Sequence, residues 1–415
     1  MSLSNDRKII RELAKRYVEI AADEKNNERY ERAKGINDLK PARPVVWVEQ
    51  IPWHEVDIGD LLVCECDNEQ ARDIEKWLRQ QLYRSEYIQD DMIAEPVYKI
   101  QKAYDDASHW YGLPVQIETL ATDENNDVRA LRFTDLLETD EQLSMLRMPD
   151  ITPRPEIDNK LMDFALDMFG ETLAVELCGH YIHHAPWDHI PHFRGVEPVL
   201  FDMIERPEHV HKMRAFFLEH GLSLYNQMET FGLLDYNTTA LDFTPQYSGT
   251  LPASDYNGGK IRKKDVWFRA EAQIFSSVSP QMFDEFELQY MRPLMELCGP
   301  CFYGCCEPLD RLIPLLKTIP TMRKLSVSPW ADARSCAEQI GKDYVYSHKP
   351  NPAFVVDAIN EDAVRKEITN VVEACLENGC PYEIILKDIS TVSYKPQNLI
   401  KWMQVVKETL DKYYS

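Results

Sequence analysis

The chain has 415 residues, of which 44% are hydrophobic, and its formal net charge is −23 at pH 7. This length suits one elaborated barrel or two domains, and the apolar content is enough for a large buried core. The negative charge and the lack of basic tracts argue against a nucleic-acid partner and against an anionic membrane surface. We find no run of about 18 uncharged apolar residues and no signal peptide, and the ten cysteines then suit reduced thiols. We therefore expect a cytoplasmic protein that does not associate with membranes.

The first 150 residues are predicted to be a mostly helical extension. Residues 4–35 are polar and charged, and they predict one long helix that ends near Gly35. Two prolines then precede an apolar run at residues 45–49, which predicts a buried strand. We expect this extension, residues 1–150, to contribute that early strand to the main sheet.

Residues 151–415 alternate short β-rich runs with longer helical stretches. This alternation is typical of a parallel sheet, and the number of units favours an α/β fold of the (β/α)8 TIM-barrel type. The strands are expected to end at the C-terminal mouth of the barrel, where barrel enzymes carry their chemistry. The predicted strands lie at residues 173–177, 239–243, 301–303, 324–327, 344–346 and 383–386.

The strongest chemical signal is the segment Cys305-Cys306-Glu307, which follows a predicted strand and precedes Pro308. Adjacent thiols and a carboxylate can bind a soft metal such as Zn²⁺, and a following helix can lower the pKa of a thiol. Neighbouring residues of a strand point to opposite faces, so both thiols share a pocket only if the chain turns there. Otherwise one or both cysteines are small core residues.

A histidine-rich stretch follows the predicted strand at residues 173–177. Five of the eleven histidines lie between residues 180 and 192, in a spacing that matches no zinc finger. Histidine works as a proton shuttle or hydrogen-bond donor near neutral pH, but a covering loop would use these side chains structurally. We expect His180 to be catalytic, and His183 and Trp187 to contact substrate.

Other polar and aromatic residues follow the predicted strands. Asp242 lies in an apolar run, where an unpaired carboxylate is costly, so it is either paired or placed to react. Asp388 ends the last predicted strand and is a second catalytic candidate; a structural pair with a neighbouring lysine is the alternative. The expected substrate contacts at the mouth are Tyr247, Trp330, His348, Lys349 and Lys387.

Four stretches in this order carry a resemblance to a known family. They are residues 201–210, the segment Tyr303-Gly304-Cys305-Cys306, residues 346–352, and residues 386–389 with 395–399. The chain resembles the uroporphyrinogen decarboxylase superfamily, in particular its corrinoid-dependent methyltransferase branch. The resemblance covers residues 170–415 well and the first 150 residues poorly.

The resemblance implies a barrel and a zinc site at its mouth. In the methyltransferases a histidine, a cysteine and a distant cysteine bind zinc; here Cys305 matches the first cysteine, Tyr303 replaces the histidine, and Asp388 stands near the last cysteine. The implied metal ligands are therefore Cys305, Cys306, Glu307 and Asp388, with His180 as a further candidate, and Tyr303 is a catalytic candidate. The strand at residues 44–50 lacks the arginines with which the decarboxylases hold acidic side chains, which argues against porphyrinogen decarboxylation.

These observations lead to one function hypothesis and two alternatives. The first is a zinc-dependent methyltransferase that acts with a corrinoid protein on a small methylated or thiol substrate. The second is a metal-free lyase or decarboxylase, in which His180 or His183 and Lys349 or Lys387 bind a small anion and Asp242 or Asp388 donates a proton. The third is a protein that binds a corrinoid or metabolite without catalysis. In each case we expect the thiols, Glu307 and Asp388 to converge at the mouth, with His180 and Asp242 on the wall.

Overall fold

Helices make up much of the chain in this computed structural model, which describes residues 3–115, 117–120, 130–133, 135–238 and 241–414. None of the helices in these ranges is both long and apolar enough to cross a membrane. A single π-turn at Arg84–Ile88 follows the third helix, and another at Asp284–Leu288 joins the tenth helix to the eleventh. The helices are α1 Ser4–Ala21, α2 Glu24–Asn37, α3 Glu69–Tyr83, α4 Asp140–Leu143, α5 Pro155–Phe169, α6 Pro186–His189, α7 Pro191–Arg194, α8 Val196–Glu205, α9 Pro207–Phe231, α10 Pro280–Phe283, α11 Gln289–Met295, α12 Ile313–Leu316, α13 Ala333–Ile340, α14 Glu361–Asn378 and α15 Gln397–Leu410.

The strands form one large parallel sheet and three small two-stranded sheets. The large sheet has seven strands in the order β1-β13-β12-β11-β10-β9-β8 and is strongly curled. The strands are β1 Val46–Val48, β2 Val97–Gln101, β3 Tyr104–Asp106, β4 Ile117–Leu120, β5 Ala130–Phe133, β6 Ile151–Pro153, β7 Ala174–Cys178, β8 Ile182–His183, β9 Phe268–Ala270, β10 Cys301–Tyr303, β11 Met322–Val327, β12 Val345–His348 and β13 Tyr382–Leu386.

The parallel α/β sheet agrees with the predicted fold class, but the seven strands do not close into a barrel within the described ranges. Strand β7, which we expected in the barrel, pairs with β2 in a separate two-stranded sheet. The predicted strand at residues 239–243 is also corrected: residues 239 and 240 lie outside the described ranges, and Leu241 and Thr244 close a tight turn. Asp242 and Phe243 have φ values of 39° and 68°, in the left-handed region that a strand cannot contain.

The N-terminal region begins with two helices and not one. Helix α1 ends at Ala21, and the Asp23 side chain caps α2 by accepting a hydrogen bond from the Lys25 N–H group. The early strand is present as β1, and it pairs in parallel with β13, the last strand of the chain. This pairing places the first and last strands of the large sheet side by side.

The two faces of the large sheet carry different side chains. Tyr303, Leu325, Tyr346, Ile384 and their neighbours belong to the main hydrophobic core. The residues that alternate with them are strongly polar although they are buried. These are Arg269 on β9, Lys324 and Ser326 on β11, Ser347 on β12 and Glu383 on β13. Because side chains alternate along a strand, we assign the charged set to the inner face of the curled sheet.

Candidate active site

The candidate site lies where the parallel strands of the large sheet end. Glu271 follows β9, Cys305 follows β10, Lys349 follows β12, and Lys387 and Asp388 follow β13. The carboxyl ends of parallel strands meet at one edge, and in barrel enzymes this edge carries the chemistry. The side chains at these positions do approach one another.

A tight turn after β10 brings both thiols to the same side. Gly304 has a φ of 92°, and a Cβ atom there would lie 2.4 Å from Leu309 Cδ1, so the turn requires glycine. The Glu307 carboxylate stabilises this turn with two hydrogen bonds. Its Oε2 accepts the Cys305 N–H at 2.9 Å, and its Oε1 accepts the Ala272 N–H at 3.2 Å. As a result, Cys305 Sγ and Cys306 Sγ lie 3.7 Å apart.

Lys387 lies between the two thiols and Asp388. Its Nζ donates hydrogen bonds to Cys305 Sγ at 3.1 Å, to Cys306 Sγ at 3.4 Å and to Asp388 Oδ2 at 2.7 Å. Cys306 Sγ also donates to Asp388 Oδ2 at 3.0 Å. Thiols and a carboxylate this close repel one another as anions, so a cation or shared protons must relieve the repulsion. In the structure the Lys387 ammonium fills that role.

Of the two thiols, Cys305 has the surroundings that favour ionisation. A hydrogen bond from Cys306, opposed by burial, lowers the pKa of Cys305, and the charges of Arg269 and Lys387 lower it further. The hydrogen bond to Cys305 and burial raise the pKa of Cys306. Burial alone would lower the pKa of Lys387, but the adjacent Cys305 and Asp388 charges raise it and keep the ammonium charged.

A buried arginine organises the acidic side of the site. Arg269 Nη2 lies 2.5 Å from Asp242 Oδ2, and its Nη1 lies 2.5 Å from Glu271 Oε2. Glu271 Oε1 in turn lies 2.8 Å from His183 Nε2. Burial opposes ionisation of Glu271, yet Arg269 and His183 lower its pKa to about 2. Burial also opposes protonation of His183, but the bond to Glu271 raises the pKa of its ring.

Two further lysines lie on the inner face behind the thiols. Lys324 Nζ pairs with Glu383 Oε1 at 2.9 Å, and Glu383 accepts the Ser347 hydroxyl at 2.6 Å. Lys349 Nζ donates to Ser347 Oγ at 2.6 Å. Burial, together with the positive charges of Lys387 and Lys324, lowers the pKa of Lys349 to about 7. The inner face therefore combines buried cationic side chains and carboxylates, most of them paired, with low exposure to solvent.

The expected zinc ligands do not come together as one set. Both oxygens of Glu307 accept backbone N–H groups, so this carboxylate supports the turn and does not join the thiols. Lys387 already lies within 3.4 Å of the three remaining donors. No group of three or more His, Cys, Asp or Glu side chains in the described part of the chain is arranged to hold a metal ion. The residues present do not fit the four-ligand zinc set, and zinc binding stays a prediction.

Several predicted site residues lie elsewhere. The Tyr303 hydroxyl donates to Glu287 Oε1 at 3.1 Å in the core, Trp187 is fully buried beside Phe275, and Tyr247 packs on Tyr30 of α2. Trp330 is 69% exposed, and His348 is buried with neither ring nitrogen hydrogen-bonded among the residues described. His180 Nε2 lies 2.8 Å from the Lys102 carbonyl oxygen, a distance at which a ring N–H can donate a hydrogen bond that fixes the orientation of the ring. Asp242, His183, Lys349, Lys387 and Asp388 belong to the site.

Sequence reasoning missed Arg269, Glu271 and Glu383. The segment at residues 268–271, Phe-Arg-Ala-Glu, alternates apolar and polar residues, which is the signal of a strand with one polar face. It is short, and an arginine and a glutamate interrupt its apolar residues, so it was not recognised as a strand. Glu383 opens a recognised strand, but its burial against Lys324 depends on the register between β11, β12 and β13.

Comparison with solved structures finds proteins of similar fold. The solved structure of a methyltransferase from Methanosarcina mazei is similar to this chain with a TM-score of 0.49 and 11% sequence identity, over 93% of this chain and 99% of that chain. No protein-family model matches the sequence, and no curated protein matches it either. A likeness at this level assigns no activity to the chain, and the resemblance to the uroporphyrinogen decarboxylase superfamily stays a prediction.

Proposed function

We propose that this chain is a group-transfer enzyme of the methyltransferase kind in which the Cys305 thiolate is the nucleophile. One observation carries the proposal: Cys305 Sγ lies 3.1 Å from the buried Lys387 ammonium and 3.7 Å from the protonated Cys306 thiol. Thiolates and not thiols are the reactive form of cysteine, and a neighbouring cation stabilises them at neutral pH. A cysteine with only a structural role in a core needs no such partners.

The proposed step is displacement at a small alkyl group, with methyl as the simplest case. The Cys305 sulfur uses a lone pair to form a bond to the carbon, and the bond from that carbon to the leaving atom breaks, so its electron pair goes to the leaving atom. The His183 imidazolium, paired with Glu271 at 2.8 Å, is the proposed proton donor to that atom. The charge of the thiolate is neutralised as the sulfur becomes a thioether. In a second displacement a nucleophilic acceptor, supplied as the second substrate, bonds to the carbon, the carbon–sulfur bond breaks, and its electron pair returns to Cys305 as the thiolate.

Two expectations from the family resemblance remain proposals. The first is a corrinoid protein as the partner in methyl transfer. The proposed step at Cys305 does not require that protein. A zinc ion would need to displace Lys387 from the thiols, because the ammonium lies within hydrogen-bond distance of all three donors. If added Zn²⁺ binds in a 1:1 ratio and blocks alkylation of both Cys305 and Cys306, the two thiols bind a metal ion in place of the Lys387 ammonium.

Competitive labelling tests the proposal inside one molecule. The full-length protein is treated with limiting iodoacetamide at pH 7, and the labelled cysteines are identified by peptide mass spectrometry. Cys64 is the internal control, because it is half-buried, and burial with the Glu75 charge raises the pKa of its thiol. We expect Cys305 to react faster than Cys64 although it is less exposed. Equal or slower reaction at Cys305 contradicts the proposal.

A second candidate is a metal-free lyase or decarboxylase that acts on a small anion. The observation that favours it is the buried positive charge of Arg269, Lys349 and Lys387 around one end of the sheet. An anion bound there would raise the pKa of Lys349, because an adjacent negative charge favours the ammonium form. Saturable binding of small carboxylates that is lost in Lys349→Met, while Cys305 reacts slowly, would support this function over the first.

A further inference from the structure

One cavity lies beside His183, and a second cavity meets it at one residue. The first has a volume of about 230 Å³ and is lined by His183, His180 and Tyr104. The second has a volume of about 290 Å³ and lies next to it. Leu224 of α9 lines both cavities, so one side chain separates them. We call these two adjoining cavities together the trough.

Aromatic and imidazole rings dominate the lining of the second cavity. Tyr111, Trp110, His189 and His220 present their rings there. The Tyr111 ring lies 4.7 Å from the ring of His220, and the Tyr111 hydroxyl lies 2.6 Å from His189 Nδ1. Trp110 and Tyr111 both have left-handed φ values, 54° and 57°, which bulky residues rarely adopt. Such strain often persists where a side chain must be held in one place for a ligand.

The second cavity has little formal charge in its lining. Neither cavity has a lysine or an arginine in its lining among the residues described. Burial lowers the pKa of His189 and of His220 to about 4, so both rings are neutral at pH 7. The one carboxylate, Asp106, already accepts hydrogen bonds from the N–H and hydroxyl of Ser108 through its Oδ1. An anion in the second cavity would find no lysine or arginine in the described lining to neutralise it.

One polar atom in the lining has no partner. His220 is 5% exposed, and its Nε2 makes no hydrogen bond in the part of the chain that the structure describes. A buried polar atom without a partner costs free energy, so such atoms usually meet a water molecule or a ligand. The neutral ring can donate or accept at Nε2, depending on its tautomer.

We propose that this trough binds an uncharged, single-ring aromatic substrate, with the ring against Tyr111 and Trp110 and a polar substituent at His220 Nε2. The inference rests on the proposed function, since the end of the trough at His183 is where the leaving atom of that substrate would receive its proton. A volume near 290 Å³ lies at the lower end of the range for small-molecule sites, which suits one ring and not a larger system. Stacking on aromatic faces favours flat ligands over saturated rings.

Three one-ring probes separate these requirements. Phenol has an aromatic ring and a hydroxyl and is uncharged at neutral pH; cyclohexanol keeps the hydroxyl without the aromatic ring; benzoate keeps the ring and adds a negative charge. Binding to the full-length protein is followed by saturation-transfer NMR and quantified by titration. We expect phenol to bind best. Cyclohexanol should bind about tenfold more weakly because it cannot stack on the aromatic rings, and benzoate about tenfold more weakly because its charge must lose its hydration.

Variants of helix α9 locate the site. His220→Phe keeps a ring but removes Nε2, and we expect it to weaken phenol binding by about tenfold. Leu224→Trp fills the junction of the two cavities and should abolish binding. His211→Phe is the matched control, because His211 lies on the same helix, lines neither cavity and bonds to Tyr290. Thermal unfolding of each variant checks folding; if Leu224→Trp is destabilised, His220→Phe decides alone.

The outcomes separate this inference from the proposed function. Phenol that does not bind saturably, that binds equally to the His220→Phe variant, or that binds no better than benzoate overturns the aromatic site. Labelling of Cys305 is measured on the same samples. Fast labelling without phenol binding refutes only the substrate class, whereas phenol binding with slow labelling refutes the nucleophile and leaves an aromatic binding site.

Discussion

Replacing Lys387 by methionine removes the ammonium from the thiols while keeping a side chain of similar length. With an effective dielectric constant of about 20, unit charges 3.1 Å apart, the distance from Lys387 Nζ to Cys305 Sγ, attract by roughly 5 kcal/mol. Much of this is offset, because Lys387 is itself desolvated and Arg269 also stabilises the thiolate. An adjacent opposite charge typically changes the thiolate fraction at a fixed pH by about tenfold to a thousandfold.

The assay is the rate of Cys305 alkylation by iodoacetamide as a function of pH. Loss of the positive charge raises the pKa of Cys305, so the variant should react at least about tenfold more slowly than the wild type at pH 7. The difference should shrink as the pH rises, because both proteins then carry the thiolate. Lys264→Met is the control, since Lys264 forms an exposed ion pair with Asp255.

The result that refutes this reasoning is a Lys387→Met variant with the same rate at pH 7 and the same pH profile as the wild type. Either Arg269 would then be the residue that mainly stabilises the Cys305 thiolate, or Cys305 would be a thiol without special reactivity. Unfolding of the variant in urea separates these readings from a loss of structure. Asp388 is partly exposed and can be solvated when its lysine is removed, so a large loss of stability is not expected.

Two further predictions concern stability. Glu307→Gln replaces one of the two oxygens that accept the Cys305 and Ala272 N–H groups by an amide NH₂ group. We expect the free energy of unfolding, measured with urea, to fall by about 1–3 kcal/mol and Cys305 labelling to become slower. Unchanged stability would show that Glu307 does not hold the turn. Burial raises the pKa of Asp188 to about 7 from its ordinary 3.8, so the native carboxyl costs stability increasingly as the pH rises between these values. Asp188→Asn should therefore raise the melting temperature by a few °C at pH 8, at roughly 1 °C per kcal/mol for a chain of this length, and by less at pH 4, and an equal gain at both pH values contradicts this.

The convergence of Cys305, Cys306 and Asp388 could be predicted from the sequence. All three follow predicted strands of a parallel sheet, and such strand ends meet at one edge whatever the details of packing. The need for a cation among them followed from charge alone. That the cation is Lys387, the residue next to Asp388, depends on the turn at Gly304 and on the left-handed φ of 59° at Asp388.

Other residues could not be placed because their positions depend on tertiary structure. Asp242 was placed in a strand from its apolar neighbours, but a left-handed turn brings it to Arg269 instead. Tyr303 was aligned with a metal-binding histidine, yet the alternation along β10 sends it to Glu287. Glu307 looked like a ligand because it adjoins two thiols. Its oxygens satisfy backbone N–H groups that the turn itself leaves unpaired.

The most direct test of the central claim is a titration of the two thiols themselves. Cysteine labelled with ¹³C at Cβ reports ionisation by NMR, and the Cys305→Ser and Cys306→Ser variants assign the two resonances. The account predicts that the Cys305 resonance titrates below the ordinary pH of a thiol, near 9, while Cys306 stays protonated to higher pH. Two resonances that titrate together at or above pH 9 would contradict a thiolate at Cys305 and with it the proposed nucleophile.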